Sequence, residues 1–452
     1  MTSFFSDLLT AIGERGRNLV DLNQAPSEKK DLADIARSLL SQKGEASGIA
    51  LASDFFSVYD SLDDEELDQF FSILAEQFGP DLIEVEKLIS DYCSAPSVET
   101  VISLHQAGEP RRQELFRRLN QAPGGTQRLV RLREDLLVRL RDNPSLAEVD
   151  ADFHHLFLSW FNRGFLVLNK ITWATSATVL EKIIKYEAVH EIGNWEELRR
   201  RIEPSDRRCY AFFHPALTDE PLIFVEVALT DEIPDSIAPV IASNRDILSS
   251  RDARVATFYS ISNCQRGLSG VSFGSFLIKQ VAQDLQRELP HIKTFVTLSP
   301  VPGFMKWLDS LKGGETDGSH ILPQADRDLL NRLGTRNWMN DEEMTSAMEE
   351  LLLPLVAYYL LHAKDREQKP LDPVARFHLG NGARLERINW QADISKNGLA
   401  RSAGIMVNYL YDLGDIEKNH EAYSNNNSVV ASGAITRLAK NSASSLAMEP
   451  TQ

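Results

Sequence analysis

The sequence predicts a multidomain protein in which an all-α helical bundle, residues 1–160, precedes an α+β domain, residues 161–452. Two observations support this division. Before Trp160, apolar residues recur at three- and four-residue steps, and strand-like alternation is nearly absent. After Trp160, aromatic and β-branched runs appear between amphipathic helical segments, which is typical of a sheet with helices packed on it.

The prediction of a helical bundle depends mainly on two segments. Asp63–Gly79 opens with acidic residues, which favour a helix N-terminus, and then carries apolar residues at helical spacing. Gly125–Pro144 places leucine and valine on one face and arginines on the other. Short Gly, Pro and Asn breaks separate such segments, as they do in helical bundles.

The α+β region begins with a predicted hairpin in Arg208–Thr230, where aromatic and β-branched runs flank a turn. A strand (VATFYSI), a helix from about Gly270 to Leu289 and a second strand (KTFVTLS) follow. A helical block with interruptions is expected from Gln324 to Lys364, then strands in ARLERINW and AGIMVNYLY. The segments expected to be loops or disordered are Asp309–Gly318, Ser424–Asn427 and the tail after about Lys440.

Composition narrows the class of protein. Hydrophobic residues make up 43% and charged residues 25%, as in ordinary soluble globular proteins. The net charge of −17 argues against nucleic-acid or anionic-membrane partners, and the longest apolar run, Leu351–Leu361, is too short to span a bilayer. Cys93, Cys209 and Cys264 lack CxxC spacing, and the first residues lack a secretory pattern. A cytoplasmic location is therefore expected.

The loop Gln265–Ser275 is the first candidate site. Glycines at 267, 270 and 274 allow close backbone approach, and amides at the start of the next helix favour an anion such as a pyrophosphate. Arg266 adds positive charge. The alternative is a glycine-rich turn that only packs on the sheet, since the loop is neither a Walker A motif nor a strict GxGxxG.

Two further segments carry candidate catalytic residues. In LSPVPGF, two prolines after a strand would hold Ser299 rigidly, which suits catalysis or a turn cap equally. In FHLGNGARLERINW, His378 precedes an Asn-Gly turn and is either a structural histidine or a general acid–base. His214 is interpreted as a turn or core histidine. The histidines show no metal-ligand spacing, because the adjacent His154 and His155 would point apart on a helix.

Together these segments resemble malonyl-CoA decarboxylase. The resemblance covers nearly all of the C-terminal two-thirds, in order, whereas the N-terminal region matches mainly in layout. Its motifs are FYSISxxQxGLxGVxxGxFLIK (258–279), LSPxPGFxKWL (298–308), FHLxNGAxLxRINWxAD (377–393), GIMVNYLYDL (404–413), YSNNNSVVAS (423–432) and HPALTDEPLIFVEVALT (214–230).

The resemblance implies an assembly role for the helical bundle, with a homotetramer as the expected state, and a catalytic domain similar to GNAT-type acetyltransferases. In that fold, a loop after a central strand holds the CoA pyrophosphate. Arg266 and Lys279 are candidates for the CoA 3′-phosphate. Carried over by motif, the catalytic residues are Ser299, His378 and Ser260, and the substrate-binding residues are Arg266, Ser269, Gly270, Val271, Ser272, Phe273, Gly274 and Ser275.

One position departs from the family pattern. Where relatives can carry a glutamate within GVELG that helps to orient the site, this chain has GVSFG, with Ser272 in its place. Either that role is dispensable, or another acid such as Asp393 or Glu226 supplies it.

The implied reaction converts malonyl-CoA to acetyl-CoA and CO₂ without metal or other cofactor. An enolate forms as CO₂ leaves, His378 is the expected proton donor to the α-carbon, and Ser299 holds the carboxylate or assists the transfer. Two alternatives stay open: a CoA-dependent acyltransferase, and a non-catalytic protein that senses malonyl-CoA.

Overall fold

The computed structural model describes residues 8–15, 31–41, 44–217, 219–271, 273, 277–313, 324–334 and 338–445. The chain divides into two compact units. The helical unit comprises Met1–Val167, Phe212–Ile223 and Asn263–Phe273, and the sheet unit comprises Leu168–Ala211, Phe224–Ser262 and Gly274–Gln452. A helical region followed by a mixed-sheet region confirms the predicted fold class, while the likeness to acetyltransferases stays a prediction.

Among the described α-helices of the helical unit, those that follow Asp63, Asp81 and Ser97 begin with a side-chain cap from these residues. The cap at Asp63 is a capping box, since its carboxylate accepts the Glu66 N–H at 2.9 Å and the Glu66 carboxylate accepts the Asp63 N–H at 3.0 Å. After a helical segment at 8–15, the helices are α1 (Leu32–Ser41), α2 (Glu45–Tyr59), α3 (Asp64–Gln77), α4 (Leu82–Ser94), α5 (Val98–Gly108), α6 (Arg111–Leu119), α7 (Gly125–Arg139) and α8 (Ala147–Trp160).

The helical unit also holds two segments that lie far along the chain from α8. In the 3₁₀ turn Arg266–Leu268, Gly267 packs so tightly on α7 that a Cβ would lie 1.8 Å from the carbonyl oxygen of Val130. The buried Arg133 of α7 donates to the carbonyl oxygens of Gly267 and Ser269 at 2.8 and 2.9 Å. These contacts explain why the unit does not end at the sequence boundary, residue 160.

The remaining strands and helices lie wholly or mainly in the sheet unit. They are β1 (Val167–Ile171), α9 (Ala177–Tyr186), α10 (Trp195–Ile202), β2 (Arg207–Phe213), β3 (Pro221–Thr230), α11 (Ala238–Ile241), β4 (Val255–Asn263), α12 (Leu277–Glu288), β5 (Thr294–Thr297), β6 (Ser299–Pro300), α13 (Phe304–Gly313), α14 (Gln324–Asn331), α15 (Glu342–His362), α16 (Pro373–Gly380), β7 (Arg384–Asn389), α17 (Lys396–Ser402), β8 (Met406–Leu410), α18 (Ile416–Asn426) and α19 (Gly433–Ser445).

The strands in the described part of the chain belong to one mixed sheet. Its order is β1-β2-β3-β4-β5-β8-β6, and β7 also pairs with β8. β4 and β5 are parallel, with Phe258 beside Thr297, and α12 connects them as in a βαβ unit. Because side chains alternate along a strand, Ser260, Thr297 and Ser299 point to one face of this part of the sheet, and Tyr259 and Leu298 point to the other.

Several element boundaries differ from the predictions. The helix expected from about Gly270 does not include Gly270, whose φ of +78° is not helical, and it is described from Leu277 onward. α13 continues to Gly313 through part of the predicted loop, and residues 314–318 lie outside the described residues. Local helical periodicity is weak in both C-terminal polar segments, yet α18 extends to Asn426 and α19 to Ser445. Packing of α19 on α15 accounts for the second of these helices.

Helix α15 is long and apolar enough, at 21 residues with a mean hydropathy of 1.2 in its best window, to cross a membrane by length and composition. The prediction that no segment is long enough to span a bilayer considered only the apolar run Leu351–Leu361, which is the C-terminal half of this helix. In the structure, Leu352 and the stretch Leu355–Leu360 are buried, and Pro354 lies within the helix. This burial is typical of a helix in the core of the sheet unit.

Gly267→Ala is expected to destabilise the helical unit by roughly 1–3 kcal/mol, because its Cβ has no space beside the backbone of Val130. Calorimetric unfolding of the full chain measures the effect. Gly108→Ala is the matched control, since a Cβ there meets nothing within 4 Å. Equal melting temperatures for both variants would contradict the close contact.

Candidate active site

Ser299 and His378 meet in the sheet unit. Ser299 lies on β6 and His378 on α16, and the Ser299 Oγ is 3.0 Å from the His378 Nε2. Both side chains are buried, with exposed fractions of 5% and 2%. The structure therefore brings together the two residues that the sequence named first as catalytic candidates.

The tautomer of His378 follows from its second partner. Its Nδ1 lies 2.8 Å from the hydroxyl of Tyr411. Burial raises the pKa of Tyr411 well above its usual value, so the phenol keeps its proton. Since this proton has His378 as its described acceptor, Nδ1 accepts and Nε2 carries the imidazole hydrogen. The Nε2–H then donates to the Ser299 hydroxyl.

Thr297 and Tyr409 complete the surroundings of this pair. The Ser299 hydroxyl donates to the Thr297 Oγ1 at 2.9 Å, and the Thr297 Oγ1 also accepts the Tyr409 backbone N–H at 3.1 Å. The Tyr409 ring stacks on the His378 imidazole with 4.5 Å between centroids. The hydrogen bonds thus run in one direction, from Tyr411 through His378 and Ser299 to Thr297.

Asp372 fixes the relative position of the two segments. It caps α16, accepting the N–H groups of Val374 and Ala375 at 2.9 Å each, and its second oxygen accepts the Gly303 N–H at 3.3 Å. Gly303 belongs to the turn that follows Ser299. One fully buried carboxylate therefore joins the helix of His378 to the turn after Ser299. Burial raises its pKa, although these N–H groups act in the opposite direction.

Burial also decides the charge of His378. Desolvation lowers the pKa of His378 to about 3, so the imidazole is neutral at neutral pH. The group can deliver a proton only from its neutral Nε2–H, or accept one transiently.

Ser260 has a different set of partners from the other two candidate catalytic residues. Its hydroxyl lies 2.8 and 2.7 Å from the two carboxylate oxygens of Glu187. Glu187 also accepts the N–H groups of Val189 and His190 at 2.8 and 2.7 Å, and the Ser262 hydroxyl at 3.3 Å. The structure thus places Ser260 on the same sheet face as Ser299 but gives its hydroxyl to a buried acid.

The candidate substrate loop lies in the helical unit as far as it is described. Arg266, Ser269 and Gly270 are exposed, while Val271 and Phe273 are buried. Ser272, Gly274 and Ser275 lie outside the described residues. The carbonyl of Gly270 accepts from His154 Nε2 at 3.2 Å, in addition to the Arg133 contacts.

Three amides of this loop are engaged in turns. The N–H groups of Leu268, Ser269 and Val271 donate to the carbonyl oxygens of Gln265, Arg266 and Leu268 at 3.0, 2.9 and 3.0 Å. An anion on this loop would therefore have to be bound by other donors.

The other residues singled out from the sequence lie elsewhere. Asp393 accepts the Ser395 N–H at 3.0 Å, and Glu226 pairs with Arg201 at 3.1 Å, so neither contacts Ser299 or His378 among the described bonds. His214 is half-buried in a turn and bonds the Trp160 carbonyl at 3.0 Å, as interpreted. Lys279 forms an ion pair with Glu417. Within the described ranges no group of three or more His, Cys, Asp and Glu side chains could hold a metal.

Comparison with known proteins identifies the family. The malonyl-CoA decarboxylase C-terminal domain matches residues 164–449, and the malonyl-CoA decarboxylase N-terminal domain matches residues 78–161. The chain belongs to the malonyl-CoA decarboxylase family. The mitochondrial malonyl-CoA decarboxylase of Mus musculus is 35% identical over 430 residues, which cover 88% of this chain and 87% of the mouse protein. That of the goose Anser anser anser is 41% identical over 72% of this chain and 68% of its own length.

Solved malonyl-CoA decarboxylase structures agree with this assignment. The one from Rhodopseudomonas palustris is 52% identical and has a TM-score of 0.88, covering 91% of this chain and all of its own (100%). The one from Agrobacterium vitis, also 52% identical with the same coverage of 91% and 100%, has a TM-score of 0.84. The resemblance inferred from the motifs is confirmed.

Sequence reasoning missed four residues of the site: Thr297, Tyr411, Asp372 and Glu187. Tyr411 lies inside the quoted motif GIMVNYLYDL, and Thr297 directly precedes the motif LSPxPGFxKWL. Period-two spacing from Tyr409 and Ser299 would have placed each on the correct face. Asp372 precedes a proline, which is a helix-start signal. Glu187 carries no such signal in the sequence.

The neutral, buried His378 predicts a pH-dependent stability difference between the wild type and His378→Asn. The histidine has a pKa of about 6.5 in the unfolded chain and about 3 in the folded protein. Between these values the unfolded chain binds a proton that the folded protein does not, so this group makes stability fall as pH falls. The wild-type slope should exceed that of the variant by up to about 1.4 kcal/mol per pH unit. Urea unfolding between neutral pH and about pH 5 measures it.

Ser299→Ala is the control for this experiment, because it keeps the histidine and should keep the wild-type slope. Glu226, whose pKa burial raises to about 7, has the opposite pH dependence, but it is present in all three proteins and cancels in the differences. Identical slopes in wild type and His378→Asn would show that His378 is not neutral in the folded protein.

Proposed function

We propose that the chain decarboxylates malonyl-CoA to acetyl-CoA and CO₂ at the Ser299–His378 pair. The observation that carries the proposal is the 3.0 Å contact between the Ser299 Oγ and the His378 Nε2, on segments whose motifs belong to this family. The relatives that match the chain are named malonyl-CoA decarboxylases, which supports malonyl-CoA as its substrate.

The electrons in this reaction have an acceptor in the substrate itself. The bond between the α-carbon and the carboxylate breaks, CO₂ leaves, and the electron pair moves into the thioester as an enolate. The reaction therefore calls for no metal, biotin or oxidant. Hydrogen-bond donors aimed at the thioester oxygen would stabilise the developing negative charge.

The α-carbon must then gain one proton. To deliver it, the Ser299 hydroxyl would turn from its hydrogen bond with Thr297 toward the α-carbon and take the Nε2 proton of His378, whose Nδ1 takes the proton of Tyr411. This relay needs no imidazolium, in agreement with the lowered pKa of His378. The relay leaves Tyr411 as a phenolate, which must regain one proton before the next turnover. His378 thus remains the proton source, as expected from the sequence, and Ser299 becomes its intermediary.

The CoA moiety is assigned to the loop Ser269–Ser275 by the family motif. Support comes from Arg133, which donates to the carbonyl groups of Gly267, just before this loop, and of Ser269, its first residue, and so fixes the backbone before a ligand binds. Arg266 is exposed and remains a candidate for the 3′-phosphate. Lys279 would first have to release Glu417.

His378→Asn is expected to lower kcat for malonyl-CoA by about 10²-fold or more, since proton transfer to the α-carbon loses its donor. The affinity for CoA should change little, because the substitution lies on α16 and not on the loop. Assays of acetyl-CoA and CO₂ formation measure turnover, and calorimetry with CoA measures binding. His291→Asn, an exposed histidine that contacts the Ser250 carbonyl, is the matched control and should keep wild-type turnover.

Three results would contradict the proposal. Folded protein that yields no acetyl-CoA, but binds malonyl-CoA in calorimetry, would support the sensor alternative. Acylation of an added amine or alcohol acceptor would support the acyltransferase. Full activity of His378→Asn would remove His378 from the mechanism.

We further propose that the chain forms a homotetramer through the helical unit. Helices α4 and α5 contact each other, but neither has a buried residue. Their exposed apolar side chains are unusual for a protein surface in such number. They are Leu82, Ile83, Ile89, Tyr92, Val98, Val101 and Ile102. A second copy of the chain is the expected cover for this α4–α5 surface.

The double substitution Ile83→Glu and Val98→Glu is expected to reduce the molar mass in light scattering from a tetramer to a smaller species, because these side chains are 83% and 71% exposed and would carry charge into the contact. Val138→Glu on α7 is the matched control, since this valine is also 64% exposed but stands outside the surface. A tetramer that survives the double substitution would exclude this surface.

Location and further partners stay predictions. The cytoplasmic expectation rests on the sequence alone, and the goose and mouse relatives are named mitochondrial. The absence of nucleic-acid and membrane partners is likewise an expectation from the net charge of −17.

A further inference from the structure

A cavity of the sheet unit, about 360 Å³ in volume, is lined by four arginines. They are Arg200 and Arg201 on α10, Arg207 at the start of β2, and Arg245 in the segment after α11. The volume lies in the range of small-molecule sites and would hold on the order of a dozen waters at about 30 Å³ each. Four guanidinium groups in one cavity are notable in a chain with a net charge of −17.

This cavity lies on the other face of the sheet from Ser299. Its floor includes Tyr259 and Val240, which pack with Leu298 in one apolar cluster. Tyr259 and Leu298 each precede a serine, Ser260 and Ser299, so alternation sends the two serines to the opposite face. The cavity is therefore separate from the Ser299–His378 pair.

The positive charge in the cavity is incompletely neutralised. Arg207 is only 4% exposed, and its guanidinium donates to the backbone carbonyls of Asp206 and Val240. The nearest carboxylate, that of Asp206, is 3.6 Å away and is already bound by both terminal nitrogens of Arg245. The carboxylate of Asp206 thus serves both the buried Arg207 and the half-buried Arg245, and burial lowers the pKa of Arg207.

Two further donors are available to a ligand. Arg200 is half-buried, and the described part of the chain gives it no ion-pair partner. The Tyr259 hydroxyl and the Glu226 Oε1 are both buried without a partner of good hydrogen-bond geometry among the described atoms. The two groups are close enough that a hydrogen bond from Tyr259 helps to lower the pKa of Glu226, which burial raises to about 7. A ligand in the cavity would offer the hydroxyl a second acceptor.

The acidic groups around the cavity leave these donors in place. Arg201 pairs with Glu226 at 3.1 Å. Glu197 lines the cavity but accepts the Gly193 N–H at 2.7 Å at the start of α10, and Glu191 is exposed. What remains inside is a set of donor-only guanidinium groups and a neutral phenol, which suits an acceptor-rich ligand.

We propose that this cavity binds a small multivalent oxyanion, of the phosphate or polycarboxylate type, at Arg200, Arg207 and Tyr259. The two guanidinium groups supply paired N–H donors to the oxygens of the anion, and the Tyr259 hydroxyl supplies one further donor. The site is distinct from the one proposed for malonyl-CoA and does not depend on it.

The test is calorimetric titration of the full chain with inorganic phosphate and, separately, with citrate, at constant ionic strength set by sodium chloride. Each titration is repeated with the chain saturated with CoA. Binding should survive CoA, and the stronger of the two probes identifies phosphoryl or carboxylate chemistry. Arg200→Gln should weaken it about tenfold or more, as expected for one charged hydrogen-bonding group.

Tyr259→Phe removes only the hydroxyl and should weaken binding several-fold, which keeps the proposal testable if Arg200→Gln perturbs the fold. Arg199→Gln is the matched control on the same helix, because this side chain is exposed and pairs with Glu203, outside the cavity. No binding of either probe beyond that of chloride would overturn the proposal. So would binding that CoA abolishes, or that Arg200→Gln and Tyr259→Phe leave unchanged.

Discussion

A single buried carboxylate, Asp372, sets the geometry on which the proposed chemistry depends. It caps α16 with one oxygen and accepts the Gly303 N–H with the other, so the helix of His378 and the turn after Ser299 cannot move independently. The 3.0 Å contact between Ser299 and His378 follows from this junction and from the pairing of β6 with β8. A loop-borne serine would lack such a fixed distance to its partner.

Burial has opposite consequences for the two parts of the proton relay. It lowers the pKa of His378 to about 3 and raises that of Tyr411, so both groups are neutral and both keep their hydrogens where the hydrogen bonds require them. The pair is thus prepared to donate to a strongly basic enolate carbon. The buried pair is poorly suited to hold a permanent charge. This agrees with a reaction in which the negative charge of the enolate forms and is then neutralised by a proton.

Arginines take unusually buried roles in both units. Arg133 donates to carbonyl groups of the loop that follows β4 and also pairs with Asp150 at 2.8 Å, whereas Arg207 lines the arginine-rich cavity and shares the carboxylate of Asp206 with Arg245. A buried guanidinium needs compensation from a carboxylate, from backbone carbonyls or from a ligand. Arg133 uses the first two, and the cavity is proposed to use the third.

By itself, the sequence determined the order of a helical and a mixed-sheet region, most helices and strands, the family, and the pairing of Ser299 with His378 as candidates. It did so because side-chain periodicity is local and the family motifs are long. Only the tertiary structure showed that Glu187 binds Ser260, 73 residues away, that Tyr411 sets the tautomer of His378, and that Gly267 packs on α7. Such contacts depend on strand order and on burial, and no local pattern in the chain encodes either.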